Sequence, residues 1–195
     1  MIKEIVLKNR SYRGFDSTVK ITDKEMLEIV DCARLSPSSV NMQPLKYYVS
    51  NEDLEVSKIL ENTYWAKGLP NLVLPKENQG PTAFIVILQD LNINNNLNRF
   101  LKDVGIVAQS MLLAATEMGY GGCMIGSYNS DAIKDLLSLS DNYEPLLVLA
   151  LGKPIETIKI VDVVDDKTKY YRDDNDVHYV PKRKIEDIVL KKGVK

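Results

Sequence analysis

A chain of 195 residues, of which 45% are hydrophobic and 27% charged, is long enough for one well-buried domain and short for two. Its formal net charge of −2 provides no basic excess, so we expect no nucleic-acid partner. The most apolar segment, 104–118, is too short to span a bilayer, so we expect no membrane partner either.

Hydrophobic periodicity predicts helices and strands in mixed order over the first eighty residues. In chain order the predicted elements are a helix over 1–9, a helix over 21–36, a strand over 45–50, a helix over 52–62 and a loop or lid over 63–80. Thr22 and Glu25 have the three-residue spacing of a capping box at the start of the second helix, and Pro37 ends that helix.

The rest of the chain continues this mixed order. The predicted elements are a buried strand over 82–88, a helix over 97–118, an extended stretch over 121–129, a helix over 130–139, a strand over 145–152, a polar tail, and a closing helix within 181–193. We expect the asparagines of 92–98 to cap the long helix, whose apolar later half predicts burial on every side. The mixed order predicts an α+β fold, with helices packed on a sheet, in one domain over 1–195.

The small numbers of cysteines and histidines limit the kinds of catalytic or metal site that we expect. Cys32 and Cys123 are far apart and form no CxxC pair, which indicates neither a disulfide scaffold nor a zinc ribbon. The single histidine, His178, disfavours both a hydrolase triad and a metal site. An enzyme with this composition is expected to use an organic cofactor. The chain opens on Met1 without an apolar leader or an arginine-rich presequence, so the cytoplasm is the expected location.

Arg10, Ser11 and Arg13 lie close together in the stretch NRSYRGFD, where the first helix gives way to a loop. Two planar guanidinium groups and a hydroxyl suit a phosphate, because they form paired, charge-assisted hydrogen bonds with its oxygens. A solvated turn with two surface arginines is the alternative interpretation of the same residues.

Polar but uncharged side chains follow the helix that Pro37 ends. They are Ser38, Ser39, Asn41 and Gln43. Amide groups that donate and accept together suit the mixed carbonyl and N–H edge of a flavin's pyrimidine ring. An ordinary turn is the alternative.

The stretch GYGGCMIGSYN begins at Gly119 and follows a predicted helix instead of a strand. A dinucleotide-binding fingerprint requires a third glycine where Met124 stands, so that interpretation fails. Glycines at these positions instead allow backbone N–H groups to approach a flat ring, and a plain C-cap with a turn is the alternative.

Three cations, Lys182, Arg183 and Lys184, precede the predicted closing helix. Positive charge at a helix N-terminus opposes the helix macrodipole, and a nearby anion such as a bound phosphate would relieve this mismatch. Glu186 and Asp187 are close enough in sequence to compensate locally, which is the alternative.

In this order and at these separations, the segments resemble the FMN-dependent nitroreductase family over nearly the whole chain. The resemblance rests on R-S-x-R-x-F at 10–15, P-S-S-x-N-x-Q-P at 37–44, G-x-G-G-x-x-I-G at 119–126, a strand ending in L-G-x-P at 151–154, and the basic residues of 181–184. It implies a nitroreductase-like fold, in which helices flank a central, mostly antiparallel β-sheet, and an intertwined homodimer.

The resemblance also implies which residues hold FMN. Residues near both ends of the chain would hold its phosphate and ribityl chain: Arg10, Ser11, Tyr12, Arg13 and one or two of Lys182, Arg183 and Lys184. The second subunit would close over the flavin with Pro37, Ser38, Ser39, Asn41 and, in support, Gln43. The flavin would face Met124, Ile125, Gly126 and Ser127, with a backbone N–H near Ile125 or Gly126 directed at N5. No side chain is expected to act as a catalyst.

The activity implied by the resemblance is a ping-pong oxidoreductase. NAD(P)H would deliver a hydride to flavin N5 and leave, and a nitroaromatic, quinone or similar acceptor would take its place. The alternatives are a same-fold enzyme that destroys flavin or removes halogens reductively, a flavin-binding protein without turnover, and a homodimer whose site has decayed.

Two segments depart from the family's pattern. The aromatic residue that often follows P-S-S-x-N-x-Q-P is Leu45 here, and residues 63–80 do not align. Tyr64 and Trp65 in that segment are candidates for substrate contacts, although a core role for Trp65 is the preferred interpretation.

Overall fold

The computed structural model describes residues 1–69 and 72–191. The chain forms two compact units, the first from Met1–Trp65 and Val73–Ile155, the second from Ala66–Leu72 and Glu156–Lys195. Pro70 of the predicted loop and the end of the predicted closing helix lie outside the described residues. A single domain over 1–195 remains a prediction.

The first unit contains all five helices and strands that the sequence predicts in the first ninety residues. It also contains every element predicted from there to residue 155. Its elements are helices α1 (Ile2–Lys8), α2 (Asp23–Arg34), α3 (Asp53–Glu61), α4 (Leu101–Glu117) and α5 (Ser130–Leu136), with strands β1 (Phe15–Asp16), β2 (Leu45–Ser50), β3 (Ala83–Asp90), β4 (Gly121–Ile125) and β5 (Tyr143–Pro154). The capping box is confirmed: Thr22 and Glu25 bond each other's backbone N–H groups at the start of α2. The two-residue strand β1 was not predicted.

One antiparallel sheet organises the first unit. Strand β3 pairs with β2 on one edge and with β5 on the other, and β5 pairs in turn with β4 and, at its end, with β1. Every residue of β3 is buried. The predicted α+β fold with a mostly antiparallel central sheet is therefore confirmed.

Side chains of β3 alternate between two hydrophobic clusters, as the period of a strand requires. Ile85 and Ile87 point into a cluster with α2 and α4, whereas Phe84 and Val86 point into a cluster with α3 and α5. Both clusters contain side chains that are fully buried. The sheet is thus covered by helices on both faces, which fixes the positions of β4 and α4.

The start of α4 differs from the prediction. The helix begins at Leu101, and its N-cap, Phe100, makes no side-chain capping bond. The asparagine side chains instead form successive local turns, because Asn94 Oδ1 accepts from the N–H of Asn96 and Asn96 Oδ1 accepts from the N–H of Asn98. The predicted asparagine cap is wrong because these side chains bond their own loop.

The prediction that the later half of α4 is buried on every side holds for residues 110–116, which are all buried or partly buried in the single chain, but not at the two ends of that stretch. Gln109 is exposed in its middle, and Glu117 is exposed at its end. Apolar side chains are exposed earlier on the helix: Leu101 is 52% and Ile106 39% exposed.

The second unit corrects the predicted polar tail. It contains strands β6 (Ile158–Asp162), β7 (Tyr171–Arg172) and β8 (His178–Lys182), with β8 between a parallel β6 and an antiparallel β7. The closing helix, α6, has only four described residues, Ile185–Ile188. Most residues of these strands are partly or fully exposed, so charged and polar side chains obscure their alternation. Over the described ranges, 1–69 and 72–191, no helix combines the length and apolar character needed to cross a membrane.

We predict that Gly122→Ala destabilises the first unit. A Cβ atom at this position would lie 2.5 Å from the carbonyl oxygen of Ala150 and 2.6 Å from Leu112 Cδ2, so the β4–β5 pair would have to move apart. Overpacking of this kind costs about 1–3 kcal/mol in the free energy of unfolding, measured by urea denaturation.

Gly80→Ala is the matched control, because its nearest neighbour is a flexible methyl, Leu60 Cδ2, at 3.3 Å. Equal stability of the Gly122→Ala protein and the wild type would contradict the close approach of these strands.

Candidate functional site

The basic segment Arg10–Arg13 lies beside the first residues of β4. The N–H of Tyr12 donates to Gly122 O at 3.0 Å, and Ser11 forms a parallel bridge with Gly122. A Cβ atom on Gly121 would lie 2.6 Å from Tyr12 Cδ2, so only glycine lets the tyrosine ring lie this close to the strand. The fold therefore brings together two segments that the sequence analysis selected separately.

Arg10 is partly buried and has hydrogen-bonding capacity to spare. Its Nη2 donates to Val6 O at 2.7 Å, which satisfies a carbonyl in the last turn of α1, but its buried Nε has no hydrogen-bond partner. Burial lowers the pKa of Arg10 below its ordinary value. Arg13 Nη1 donates to Ser11 O at 3.2 Å, and Ser11 itself is exposed. An anion beside Arg10 would satisfy the buried N–H and offset the desolvation of the guanidinium.

The turn after β4 presents backbone instead of bulky side chains. Ile125 is 4% exposed and belongs to the core, whereas Met124, which precedes it, is 38% exposed. A Cβ atom on Gly126 would meet no other atom within 4 Å, so space lies open beside this residue. Ser127 O accepts from the N–H of Tyr64 at 2.8 Å, which ties the turn to the end of α3.

Tyr128 anchors the same turn from the other side. Its hydroxyl donates to Pro145 O at 2.8 Å. Burial, together with the charge of Glu144, raises the pKa of Tyr128 to about 12, so this phenol stays neutral and remains a donor. The backbone at Met124–Ser127 is thus held in place and leaves the space beside Gly126 open.

The segment Ser38–Gln43, which we call the bend, is held by a carboxylate that the sequence analysis did not select. Ser38 Oγ donates to Asp103 Oδ2 at 2.7 Å, Ser39 Oγ to Asp103 Oδ1 at 2.6 Å, and the N–H of Ser39 to Asp103 Oδ2 at 2.8 Å. Asp103 lies on α4 and is 2% exposed. The two predicted serines therefore donate their hydroxyl hydrogens within their own chain.

The remainder of the bend has an unusual backbone. Val40, Asn41 and Gln43 have φ angles of 50°, 53° and 51°, in the left-handed region that β-branched residues such as valine rarely adopt. Val40 is 77% exposed, and Asn41 and Pro37 are exposed as well. Gln43 Nε2 donates to Asn41 Oδ1 at 3.1 Å. Strained backbone of this kind is concentrated at functional sites.

The three predicted cations lie in the second unit. Lys182 is the last residue of β8 and lies opposite Asp162 of β6 in the strand register. Arg183 forms an ion pair with Asp166, and Lys184 is the N-cap of α6. All three are exposed. Their role at a phosphate stays a prediction.

Two features of the site were missed from the sequence: Asp103 itself, and the position of the candidate residue Tyr64 beside Ser127. Asp103 is a carboxylate within a row of apolar residues that includes Val104 and Val107, and a charge at a core position needs partners, which was the available signal. Tyr64 lies next to Ser127 through a backbone bond that no side-chain pattern reveals. Trp65 packs against the cluster of α3 and α5, and its Nε1 donates to Thr63 Oγ1 at 2.8 Å, as its expected core role requires.

An antiparallel sheet between helical layers, with a basic segment beside a glycine strand, defines a nitroreductase-like fold. The family model described as Nitroreductase family matches residues 6–153, and the chain belongs to that family. This confirms the resemblance inferred from the motifs.

Individual relatives agree with this assignment. A Bacillus subtilis protein assigned as the NAD(P)H nitroreductase YdgI is 28% identical over 182 residues, covering 77% of this chain and 87% of that protein. A protein of Exiguobacterium sibiricum assigned as a nitroreductase, solved in complex with FMN, is similar with a TM-score of 0.67 at 24% identity, covering 80% and 89% of the two chains. The NADPH:FMN oxidoreductase of Vibrio harveyi, solved with NAD+, has a TM-score of 0.61 at 25% identity, covering 80% and 69%.

We predict that Asp103→Asn lowers stability in a pH-dependent way. Burial alone would raise the pKa of Asp103, but the hydrogen bonds from Ser39 and Ser38 outweigh it and hold the pKa below its ordinary value of 3.8. Because folding lowers the pKa, the ionised Asp103 stabilises the folded state at pH values above the ordinary pKa. This contribution is lost as the pH falls through the folded-state pKa. The variant should therefore be less stable than the wild type by about 1–3 kcal/mol at pH 7.

Urea midpoints measured between pH 3 and pH 7 test this, with Glu117→Gln on the exposed end of α4 as the control. The difference between Asp103→Asn and the wild type should shrink below about pH 4, because the wild type then loses its own charge. A difference that stays constant over the whole range would exclude an ionised Asp103 as its cause.

Proposed function

We propose that this protein is an FMN-dependent NAD(P)H oxidoreductase that acts as a homodimer and reduces nitroaromatic, quinone or similar acceptors in ping-pong order. Membership of the nitroreductase family supports the enzyme class and its cofactors. The observation that carries the proposal is the buried, unpartnered Nε of Arg10, in a segment joined through Gly122 to the strand that ends beside the open space at Gly126.

The residues present fit the phosphate of FMN. Arg10 has a buried N–H that is available to an anion, Ser11 is exposed, and Arg13 lies two residues after Ser11 on the same segment. Planar guanidinium groups form the directional, charge-assisted bonds that phosphate oxygens accept. Tyr12 belongs to the same segment, with its ring against Gly121. We assign the phosphate to this segment; a role for Lys182, Arg183 or Lys184 in phosphate binding stays a prediction from the sequence.

The residues after β4 fit a flat ring. Open space beside Gly126 allows close approach, and Met124 and Ser127 flank it. When bound, FMN supplies the hydride-accepting atom N5. The chain would hold the ring against a fixed backbone. The absence of a side chain at Gly126 would leave room for the ring, and the N–H of Ile125 or Gly126 would be a donor to it. Hydride transfer needs positioning and no acid–base side chain, which agrees with the scarcity of histidine.

The proposed dimer accounts for the exposed surface around the bend. Asp103 ties the bend to the first turn of α4, and Leu101 and Ile106 are exposed on the same part of that helix. Contiguous exposed apolar surface marks sites of protein association. We propose that a second copy covers this surface, and that Pro37, Ser38, Ser39, Asn41 and Gln43 thereby close over the flavin of the partner.

We predict that Gly126→Ala weakens FMN binding without weakening the fold. The added methyl group meets no protein atom within 4 Å, and Gly126 does not have a positive φ, so the free energy of unfolding should stay within about 0.5 kcal/mol of the wild type. The FMN dissociation constant should rise, because the methyl group would occupy the space proposed for the ring. Fluorescence titration of the apoprotein with FMN measures it, and unchanged affinity would place the ring elsewhere.

We predict that purified wild-type protein is yellow and bleaches when NAD(P)H is added, and that the double variant Arg10→Ala, Arg13→Ala loses the colour. Loss of two charge-assisted anchors should raise the FMN dissociation constant by at least about 100-fold. Lys24→Ala with Lys58→Ala, two exposed helix lysines, is the control of equal charge change. Full FMN occupancy in the arginine variant would contradict the phosphate assignment.

Turnover separates the proposal from its rivals. Steady NAD(P)H consumption with menadione supports the oxidoreductase, whereas a yellow protein that consumes no NAD(P)H would be a flavin carrier. Loss of the flavin itself during aerobic incubation with reduced FMN would identify a flavin-destroying enzyme.

A further inference from the structure

Asp103 occupies a position that folding alone does not explain. Its neighbours on the buried face of α4 are apolar, Val104, Val107 and Ala108 among them. A carboxylate at such a position loses its hydration, and an apolar side chain of similar size avoids that cost. Both carboxylate oxygens instead accept hydrogen bonds from the bend.

We infer that Asp103 is a positioning residue that gives the bend the shape with which it closes the flavin site of the partner chain. The inference rests on the function proposed above and assigns to Asp103 no contact with the cofactor. It acts through Ser38 and Ser39.

Hydrogen bonds, more than packing, fix the bend. A pocket of about 260 Å³ adjoins it, and Pro37, Ser38, Gln43 and Asp103 are among the residues that line this pocket. On this side, the lining residues face an open pocket instead of packed side chains. The three bonds to Asp103 are therefore the main restraint on this side of the bend.

The backbone of the bend needs such a restraint. Left-handed φ angles at Val40, Asn41 and Gln43 are unfavourable for residues other than glycine and persist only where the surroundings enforce them. Asp103 fixes the two residues immediately before Val40, and Ser38 Oγ also accepts from the N–H of Gln43 at 3.0 Å. Both ends of the strained stretch are thus connected to one carboxylate.

This network changes which groups the bend offers to a ligand. The Ser38 hydroxyl donates to Asp103 and accepts from Gln43, so its bonding serves the bend itself. The Ser39 hydroxyl also donates to Asp103 and keeps only acceptor capacity. Val40, Asn41 and Gln43 are the exposed residues of the bend, and under this inference they form its cofactor-facing tip.

The test compares FMN dissociation constants of folded dimers, at pH 7.5 and well below the melting temperature. Asp103→Asn keeps the shape of the side chain but removes its charge and one acceptor oxygen, and Glu117→Gln on the same helix is the matched control. We expect the dissociation constant to rise about 10- to 100-fold in Asp103→Asn, as for loss of a hydrogen bond to a charged group, and to stay unchanged in Glu117→Gln.

Variants on the donor side give a second arm that keeps Asp103 intact. Ser39→Thr retains the hydroxyl donor and should retain FMN affinity, whereas Ser39→Ala should lose it. In the Asp103→Asn background, Ser39→Ala should have a smaller further effect, because the charge that strengthens the Ser39 bond is already gone. Independent effects of the two changes would overturn the inference. If Asp103→Asn does not fold, the Ser39 pair decides alone.

The outcomes are distinguishable. A lower melting temperature with unchanged FMN affinity in Asp103→Asn would show a purely structural carboxylate and overturn the inference while leaving the proposed function standing. A wild-type dimer that binds no FMN would overturn the proposed function, and the inference with it.

Discussion

Pairing between β3 and β5 is the interaction on which the rest of the first unit depends. The two strands are hydrogen-bonded from Ala83 to Asp90 along β3, and alternate side chains enter hydrophobic clusters on opposite faces. Because β3 is buried throughout, a shift of register by one residue would exchange the two clusters. The register therefore fixes β4, which pairs with the other edge of β5, and α4, which lies across one face.

Each half of the proposed site comes from one of these two fixed elements. Strand β4 positions the basic segment, because Gly121 leaves room for the ring of Tyr12 and Gly122 O accepts from the N–H of Tyr12. The strand ends at the open space beside Gly126. Helix α4 positions the bend through Asp103. Each arrangement has a cost in local stability. Strand β4 needs glycines where other residues would pack, and the bend needs a buried charge and left-handed backbone. The proposed flavin site gives a common reason for both.

The sequence predicts the elements with strong periodicity and the motifs with distinctive spacing. The buried run of β3, the capping box of Thr22 and Glu25, and the family all follow from it. Prediction from the sequence fails where polar side chains bond the backbone of their own loop or bond residues far away along the chain. The asparagines before α4 bond each other's backbone, and β6–β8 have too few buried residues to show a period. Asp103, the partner of Ser38 and Ser39, is more than sixty residues away along the chain, so no local pattern could pair it with them.

A mixed dimer tests the central claim most directly, namely that one flavin site takes its basic segment from one chain and its bend from the other. One chain carries Arg10→Ala and Arg13→Ala, the second carries Ser38→Ala and Ser39→Ala, and different tags allow the mixed dimer to be purified and titrated with FMN. If the site is shared, one site in each mixed dimer combines both intact halves, so half of the FMN sites recover wild-type affinity although neither homodimer binds well. If each chain builds its own site, every site in the mixed dimer carries a defect, and the absence of any recovered site would contradict the account.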